Sequence, residues 1–448
     1  MQNNPRYLAI QVLCKRQTTK EPIDSIMDQM LQQAELPDSR DNQLVMAIVY
    51  GVLRWQRFLD AVLTDFSSHP LKKMKTMTLQ ALRVGLFQLC FMDRIPPSAA
   101  VNETVKALRS AKQPKWLTGF VNGVLRSITR KQETLPDPWQ DQELPVAVRF
   151  SHPDWLYTRW QDKYGESEAI SLCKKNNAQP HLCLRINTEK YATKTYLKKL
   201  EVKHISGIPG KFSPTAIILP DYKGQISALP GYSEGLFSVQ DEGAQLIPYL
   251  LAPFQPGKYL DACAGLGGKT LQMADLLPNT CSLIAVEPNN SRFDLLHQNI
   301  ERLNATASII PFKGDLHAFS QHTKDLFQAI LVDAPCSGLG VIRRHPDIRW
   351  NRSPEDLITY QEVQLNLLHD ASLLLSPGGV LVYATCSTEP EENEDVVDSF
   401  LKAHPDFSID PPQQFPQSAK ELIDSHGFFH TRPSEWHDGF FSARLIRH

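Results

Sequence analysis

From residue 257 onward the sequence alternates short, β-branched apolar runs with helix-length stretches. This alternation restricts that part of the chain to a mainly parallel sheet with helices on both faces. Runs at 258–261, 281–286, 307–312, 329–332 and 378–383, with a last one near 440–446, are the expected strands. Helices at 269–277, 291–303, 354–375 and 393–403 fit between them. The expected fold class is therefore α/β, a doubly wound, Rossmann-like sheet. In such sheets ligands lie outside the carboxyl ends of the strands, so the residues just past each run are the ones to read for chemistry.

Two of those residues are cysteines. Cys336 closes Asp333-Ala-Pro-Cys336 behind one run, and Cys386 closes Thr385-Cys386 behind another, fifty residues on. Two thiols facing one crevice point to covalent chemistry in which one attacks and the other assists release. The eight cysteines, at 14, 90, 173, 183, 263, 281, 336 and 386, include no Cys-x-x-Cys, which argues against a zinc ribbon and against a secreted disulfide framework. No metal site is expected.

The first run leads into Asp261-Ala-Cys-Ala-Gly-Leu-Gly-Gly-Lys-Thr270. Glycines there let the backbone turn tightly into a helix and approach a ligand, although the spacing matches neither the dinucleotide fingerprint nor the Walker pattern. Glu287, Asp315 and Asp333 stand at the ends of the next three strands. Three carboxylates so placed suit a ligand with ribose hydroxyls, an adenine amine and a positive centre, so S-adenosylmethionine fits better than a pyrophosphate. Each acid taken alone reads equally well as a helix cap. The candidate cofactor contacts are Cys263, Ala264, Gly265, Leu266, Gly267, Gly268 and Lys269, together with Glu287, Asp315 and Asp333.

The 448 residues are too many for one core, and two or three domains are expected. Residues 1–135 carry 19 Lys and Arg against 11 Asp and Glu, a net of +8, which leaves −10 for the remainder of a chain whose net is −2. A basic module joined to an acidic one points to a polyanionic partner such as nucleic acid; a lysine-rich solvated face is the plainer reading. The basic segment reads as all-helical. Leu8, Ala9, Val12 and Leu13 form one stripe, Leu44, Val45, Ile48, Val49, Val52 and Leu53 another, and further helices are expected at 77–92, 99–111 and 117–131. Residues 136–240 read as a Pro- and Asp-rich linker, a helical stretch at 151–177 and a small α+β subdomain with strands near 182–186, 202–205 and 216–219 and a helix at 191–200. Residues 241–448, entered through a helix at 241–251, form the catalytic domain. No apolar stretch resembles a signal peptide or a membrane span, so a cytoplasmic, monomeric enzyme with no membrane partner is expected.

Three segments resemble a family. Asp333-Ala-Pro-Cys-Ser-Gly-Leu-Gly340, Thr385-Cys-Ser-Thr-Glu-Pro-Glu-Glu-Asn-Glu394 and Asp438-Gly-Phe-Phe441 look like the signature motifs of RNA cytosine-5 methyltransferases. The basic run Val341-Ile-Arg-Arg-His-Pro-Asp-Ile-Arg-Trp350 narrows the resemblance. So do Tyr50-Gly-Val-Leu-Arg-Trp55, Arg83-Val-Gly-Leu-Phe-Gln-Leu89 and Val121-Asn-Gly-Val-Leu-Arg126, which look like a NusB-like RNA-binding helical domain. Over almost its whole length the chain is similar to the bacterial Sun/Fmu type of 16S ribosomal RNA cytosine-5 methyltransferases. One departure lies in the first loop. The family usually shows Cys-Ala-Ala-Pro-Gly-Gly-Lys, and this chain has Cys263-Ala-Gly-Leu-Gly-Gly-Lys269, which implies a less preorganised loop.

The resemblance implies a class I methyltransferase that uses S-adenosylmethionine to methylate carbon 5 of a cytosine in 16S ribosomal RNA of the small subunit. It implies that Cys386 adds to carbon 6, that Cys336 assists release, that Asp333 bonds the exocyclic amine or ring nitrogen, and that Lys269 orients the base or the catalytic residues. The residues themselves are equally compatible with the two thiols in reversed roles. For RNA the candidates are Arg343, Arg344, His345 and Arg349, with Trp350 for stacking, and more thinly Arg185 and Asn187. Three rivals are weighed. A DNA methyltransferase would lack the Thr-Cys-Ser thiol and the helical module. A transfer RNA methyltransferase shares the core, and only the N-terminal module argues against it. An inactive RNA-binding factor would not need both thiol motifs intact.

Overall fold

The computed structural model describes all residues except 1–3, 20, 35, 37, 304 and 306–308. The chain separates into two compact units, one made of residues 1–178 and 342–352, the other of 179–341 and 353–448.

The first unit is helical. Helices Pro5–Thr18, Ile23–Gln33, Ser39–Phe66, Thr76–Phe91, Pro97–Ser110 and Lys115–Arg130 pack around one core, which takes in the expected stripes: Leu8, Ala9, Val12, Leu13, Val45, Ile48, Val49, Val52 and Leu53 are all buried. The Asn4 side chain accepts from the amides of Arg6 and Tyr7, and Asp38 from that of Arg40, so two helices start where polar caps stand before apolar runs. Gly51 lies where a Cβ would meet the Phe87 ring at 1.9 Å, so the long third helix can approach the fourth only with glycine there. The helical stretch at 151–177 is two helices, Asp154–Tyr164 and Glu166–Asn177, separated by Gly165 at φ +80°.

Residues 342–352, just past the first cysteine motif in sequence, belong to this helical unit. Arg349 is fully buried there: its guanidinium donates to the carbonyls of Ser151 (3.1 Å) and Asn176 (3.1 Å) and to Oδ1 of Asn177 (2.8 Å). Burial, reinforced by Arg54, pushes this guanidinium down to about 9. Arg343 is also buried, its carbonyl accepting from Arg54 at 2.8 Å, and the Trp350 indole donates to the Leu53 carbonyl at 2.6 Å. His345 is half-buried with Nδ1 2.8 Å from Asp24. Arg343 and Arg349 therefore do not stand on an exposed basic loop. Arg343, Arg349 and the indole of Trp350 fasten the segment to the helices, while Arg344, His345, Ile348 and Trp350 retain partial exposure.

The second unit holds two sheets. In the smaller, β1 (Leu182–Ile186), β2 (Ile208–Pro209), β3 (Ala216–Leu219) and β4 (Phe237–Val239) pair antiparallel in the order β2-β3-β1-β4. The expected strand at 202–205 is not formed. Val202 ends the helix Thr193–Val202 and His204 turns the chain at φ +56°, so the edge strand starts four residues further on.

The larger sheet contains β5 (Lys258–Asp261), β6 (Ser282–Glu287), β7 (Ile309–Lys313), β8 (Phe327–Asp333), β9 (Leu375–Thr385), β10 (Phe407–Ile409), β11 (Phe429–Thr431) and β12 (Phe440–Arg447). Its order is β10-β12-β9-β8-β5-β6-β7, with β11 paired to β12 off this path; β5 to β9 run parallel and β12 antiparallel. Of the expected strand at 307–312, residues 307 and 308 lie outside the described residues. The helices Gly268–Leu276, Asn290–Arg302, Pro354–Leu374 and Glu394–Ala403 occupy the expected intervals. Side chains alternate between two cores: Tyr259, Leu331 and Val382 enter one, and Leu260, Ile330, Val332 and Leu381 the other.

If Arg349 is a structural cation, Arg349→Ala should destabilise the helical unit by about 2–4 kcal/mol, because several buried acceptors lose their donor. Chemical denaturation should show the drop, and Arg349→Lys should not recover it, since an ammonium cannot serve three acceptors in the plane of a guanidinium.

Candidate active site

Strand order reverses around β5, whose neighbours are β6 on one side and β8 on the other, and this opens a crevice at the carboxyl ends of β5 and β8. The 261–270 segment lines it. Asp261 is buried and accepts from the Thr270 hydroxyl at 2.6 Å. Burial pushes its carboxyl up to about 6, with the Thr270 bond opposing. Gly265 turns at φ +57° and donates its amide to Glu287 Oε2 at 2.9 Å, while Oε1 of Glu287 accepts from the Asn289 amide at 2.7 Å. Apart from adjacent residues, nothing lies within 4 Å of where a Cβ would stand on Gly265 or Gly268, so there is open space beside these two glycines. Asp315 is exposed and its Oδ1 caps the helix Leu316–His322 through the Ala318 amide at 2.7 Å. The Cys263 thiol is raised well above 9 by burial and by Asp261, Asp333 and Glu287, which keeps it protonated and out of nucleophilic chemistry.

β8 delivers Asp333 and, three residues on, Cys336; β9 delivers Cys386 from the adjacent position in the sheet. The two sulfur atoms are 3.1 Å apart. Lys269 Nζ pairs with Asp333 Oδ2 at 2.6 Å. Burial opposes the charge on Lys269, but Asp333 outweighs it, so the ammonium is stabilised. The thiols then divide. Cys386 is lowered, first by its hydrogen bond with Cys336 and further by the nearby Lys269 charge, against the opposing effects of burial and Asp333. Cys336 is raised by that same bond and by burial.

The residues after each cysteine are tied together. Glu392 is buried; its Oε1 accepts from the Ser337 amide (2.7 Å) and Gln364 (3.2 Å), and its Oε2 from the hydroxyls of Ser337 (2.5 Å) and Ser387 (2.5 Å). Gln364 also donates to the Pro335 carbonyl at 3.1 Å. Asn393 bonds both the Thr385 hydroxyl (2.6 Å) and the Ser387 carbonyl (3.1 Å). The Gly340 amide donates to the Cys386 carbonyl at 2.9 Å, and Gly439, beside the buried Asp438, donates to the Gly340 carbonyl at 2.8 Å. Sequence reasoning placed none of Glu392, Gln364 or Asn393. Glu392 and Asn393 read only as part of the Thr385–Glu394 motif, with no role of their own.

Arg185 and Asn187 do not join this site. Arg185 is buried and ion-paired with Asp275, and the Asn187 side chain caps its own turn through the Glu189 amide at 3.2 Å. Both side chains are buried and make these bonds within the protein.

Residues 248–446 match the family described as 16S rRNA methyltransferase RsmB/F, residues 3–130 the NusB family, and residues 152–223 the RsmF/B-like ferredoxin-like domain. The chain is 34% identical over 447 residues to the ribosomal RNA small subunit methyltransferase B of Salmonella paratyphi B, covering 100% of this chain and 99% of that one. It is 33% identical over 405 residues to the probable ribosomal RNA small subunit methyltransferase B of Bacillus subtilis, covering 90% of each. Among solved structures, that of PH0851 superposes with a TM-score of 0.81 at 24% identity, covering 98% of both chains, and shares the fold.

The unequal thiols have a direct readout. Iodoacetamide should label Cys386 before Cys336, as judged by peptide mass mapping. Because the Cys386 pKa is lowered, its thiolate should persist below the ordinary thiol range and be lost only as pH falls through the lowered value. Lys269→Met removes the stabilising ammonium and should shift that profile to higher pH; earlier labelling of Cys336 would reverse the assignment.

Proposed function

Because the chain belongs to the RsmB/F family of 16S rRNA methyltransferases, an S-adenosylmethionine-dependent family of enzymes, we propose that it methylates carbon 5 of a cytosine in 16S ribosomal RNA through a covalent bond between Cys386 and carbon 6. The observation that carries this reading is the pair of thiols 3.1 Å apart beside the Lys269–Asp333 ion pair.

The donor supplies an electrophilic methyl on a sulfonium. Gly265, Glu287, Asp315 and Asp333 line the end of the sheet where its ribose, adenine and positive charge would lie, and the open space beside Gly265 and Gly268 accommodates such a group. Carbon 5 of cytosine is a poor nucleophile. Addition of the Cys386 thiolate to carbon 6 makes the ring enamine-like and lets carbon 5 take the methyl. Asp333 accepts a hydrogen bond from the exocyclic amine while Lys269 keeps that carboxylate oriented. Loss of the carbon-5 proton to a base then allows Cys386 to leave, and Cys336 returns its hydrogen bond to the departing sulfur, stabilising it as a thiolate. The target base has to leave its stack to reach both thiols, as in other enzymes acting on nucleobases. The basic 1–135 segment supplies sequence-independent attraction to the RNA backbone. Among the described residues no helix is long and apolar enough to cross a membrane.

The two thiols separate under mutation. Cys386→Ala should abolish methyl transfer and form no covalent RNA adduct. Cys336→Ala should still attack and methylate once, then stall with RNA attached, visible as a shifted band on a denaturing gel. RNA carrying 5-fluorocytosine should trap the wild-type protein as well, because fluorine cannot leave as a proton. A shifted band with Cys386→Ala and none with Cys336→Ala would reverse the roles.

A further inference from the structure

We propose that Glu392 is a positioning residue that holds Cys336 and Cys386 at reacting distance by binding the next residue after each of them. The proposal rests on the reading of those thiols as the reacting pair.

Cys336 lies in a loop past the last ladder pair of β8, and Cys386 in a loop past the end of β9, so the strands alone do not fix where the sulfurs point. A single carboxylate spans both loops. Each oxygen of Glu392 takes two donors, and three of its four bonds come from Ser337 and Ser387. The two serine hydroxyls are 3.3 Å apart, so the pair of serines repeats, one residue on, the juxtaposition of the pair of cysteines. Gln364 extends the clamp to the residue before Cys336 by bonding the Pro335 carbonyl together with Glu392. The Tyr383 hydroxyl donates to the Glu392 carbonyl at 2.5 Å, which anchors the carboxylate's own backbone to β9.

A fully buried carboxylate is costly to keep, and a purely structural site would be as well served by apolar packing. Here all the compensating donors belong to, or bond to, the segments that carry the thiols. The geometry of a hydrogen-bonded sulfur pair tolerates little drift, since displacement of a reacting group by about 1 Å can cost on the order of 10²-fold in rate. Glu392 touches neither sulfur; it holds them through the chain on either side, and its charge also opposes ionisation of both thiols.

The test uses the full chain and two independent readouts. Dibromobimane, which fluoresces when it bridges two thiols, reports the Cys336–Cys386 distance without any methyl transfer, with peptide mapping to confirm the pair. Steady-state kinetics on 16S RNA gives kcat and KM for the methyl donor. Glu392→Ala, and Glu392→Asp with its shorter reach, should slow bridging and lower kcat by about 10²-fold with KM for the donor little changed. Glu392→Gln can still bond both serines and should restore most of both. If Glu392→Ala fails to fold, Ser337→Ala/Ser387→Ala cuts the same side-chain bonds and is judged by the same criteria. Bridging and kcat both unchanged would overturn the proposal, as would a fall in kcat with bridging unchanged. Failure of the wild-type protein to form an adduct with 5-fluorocytosine RNA would instead sink the covalent mechanism, while the bridging contrast would still decide the role of Glu392.

Discussion

The parallel ladder between β8 and β9 pairs Val332 with Tyr383 and Asp333 with Ala384, and through it cysteines fifty residues apart in sequence come to 3.1 Å. A slip of one residue would move one cysteine by about 3.3 Å and turn alternate side chains to the other face. Burial prevents the slip. Val332 and Tyr383 enter one core and Leu331 and Val382 the other, so any shift would exchange the two sets against both layers at once. The Ala334 amide extends the pairing by donating to the Ala384 carbonyl at 2.9 Å, leaving a single residue, Pro335 or Thr385, between the fixed ladder and each thiol.

Electrostatics at the site arises from burying charges of both signs in a small volume. Lys269 and Asp333 neutralise one another at 2.6 Å, which leaves a dipole beside the thiols in place of a bare charge. The ammonium end favours a thiolate, and the thiol of Cys336 favours it at Cys386 in particular. Asp261 behaves differently. Buried behind the loop, with the Thr270 hydroxyl donating to it, it is raised to about 6 and acts as part of the loop's internal bonding. A carboxylate at a strand end is thus a ligand group or a structural one according to which groups have already claimed its oxygens.

The sheet was legible in the sequence because period-two burial against two cores writes itself as short β-branched runs, and the strand ends are marked by polar or reactive residues at or just past them: Asp261, Glu287, Asp333 and the two cysteines. Charged residues with long or shared side chains were not legible. Arg349, Arg343 and Arg185 sit in contexts that look like a basic surface, yet each turns inward, Arg349 and Arg185 to partners far away in sequence at Ser151, Asn176 and Asp275. Nothing local distinguishes a guanidinium that meets phosphate from one that meets carbonyls, since the same fork of donors suits both. Glu392 was hidden for the converse reason, as one acid among several in Glu389-Pro-Glu-Glu-Asn-Glu394, and only the return of that segment over both cysteine loops gives it four donors. The membership of residues 342–352 in the helical unit is likewise a long-range fact without a local signature.

The first loop shows how a departure in sequence can be met by bonding elsewhere. A residue that precedes proline is disfavoured in helical conformations, so Ala-Pro and Gly265-Leu266 cannot be held by the same local constraint. Gly265 adopts φ +57°, which costs a residue with a Cβ about 1–2 kcal/mol and glycine nearly nothing. The freedom that glycine brings is then removed from outside. Glu287 takes the Gly265 amide, the Val286 carbonyl takes that of Ala264 at 2.9 Å, and Asn299 donates to the Leu266 carbonyl at 3.0 Å. Three consecutive residues are thereby pinned to β6 and to the helix after it, with Glu287 as the side chain that fixes the turn. A proline stiffens such a loop by itself; this chain stiffens it through the strand next door, which makes the shape of the loop depend on the carboxylate.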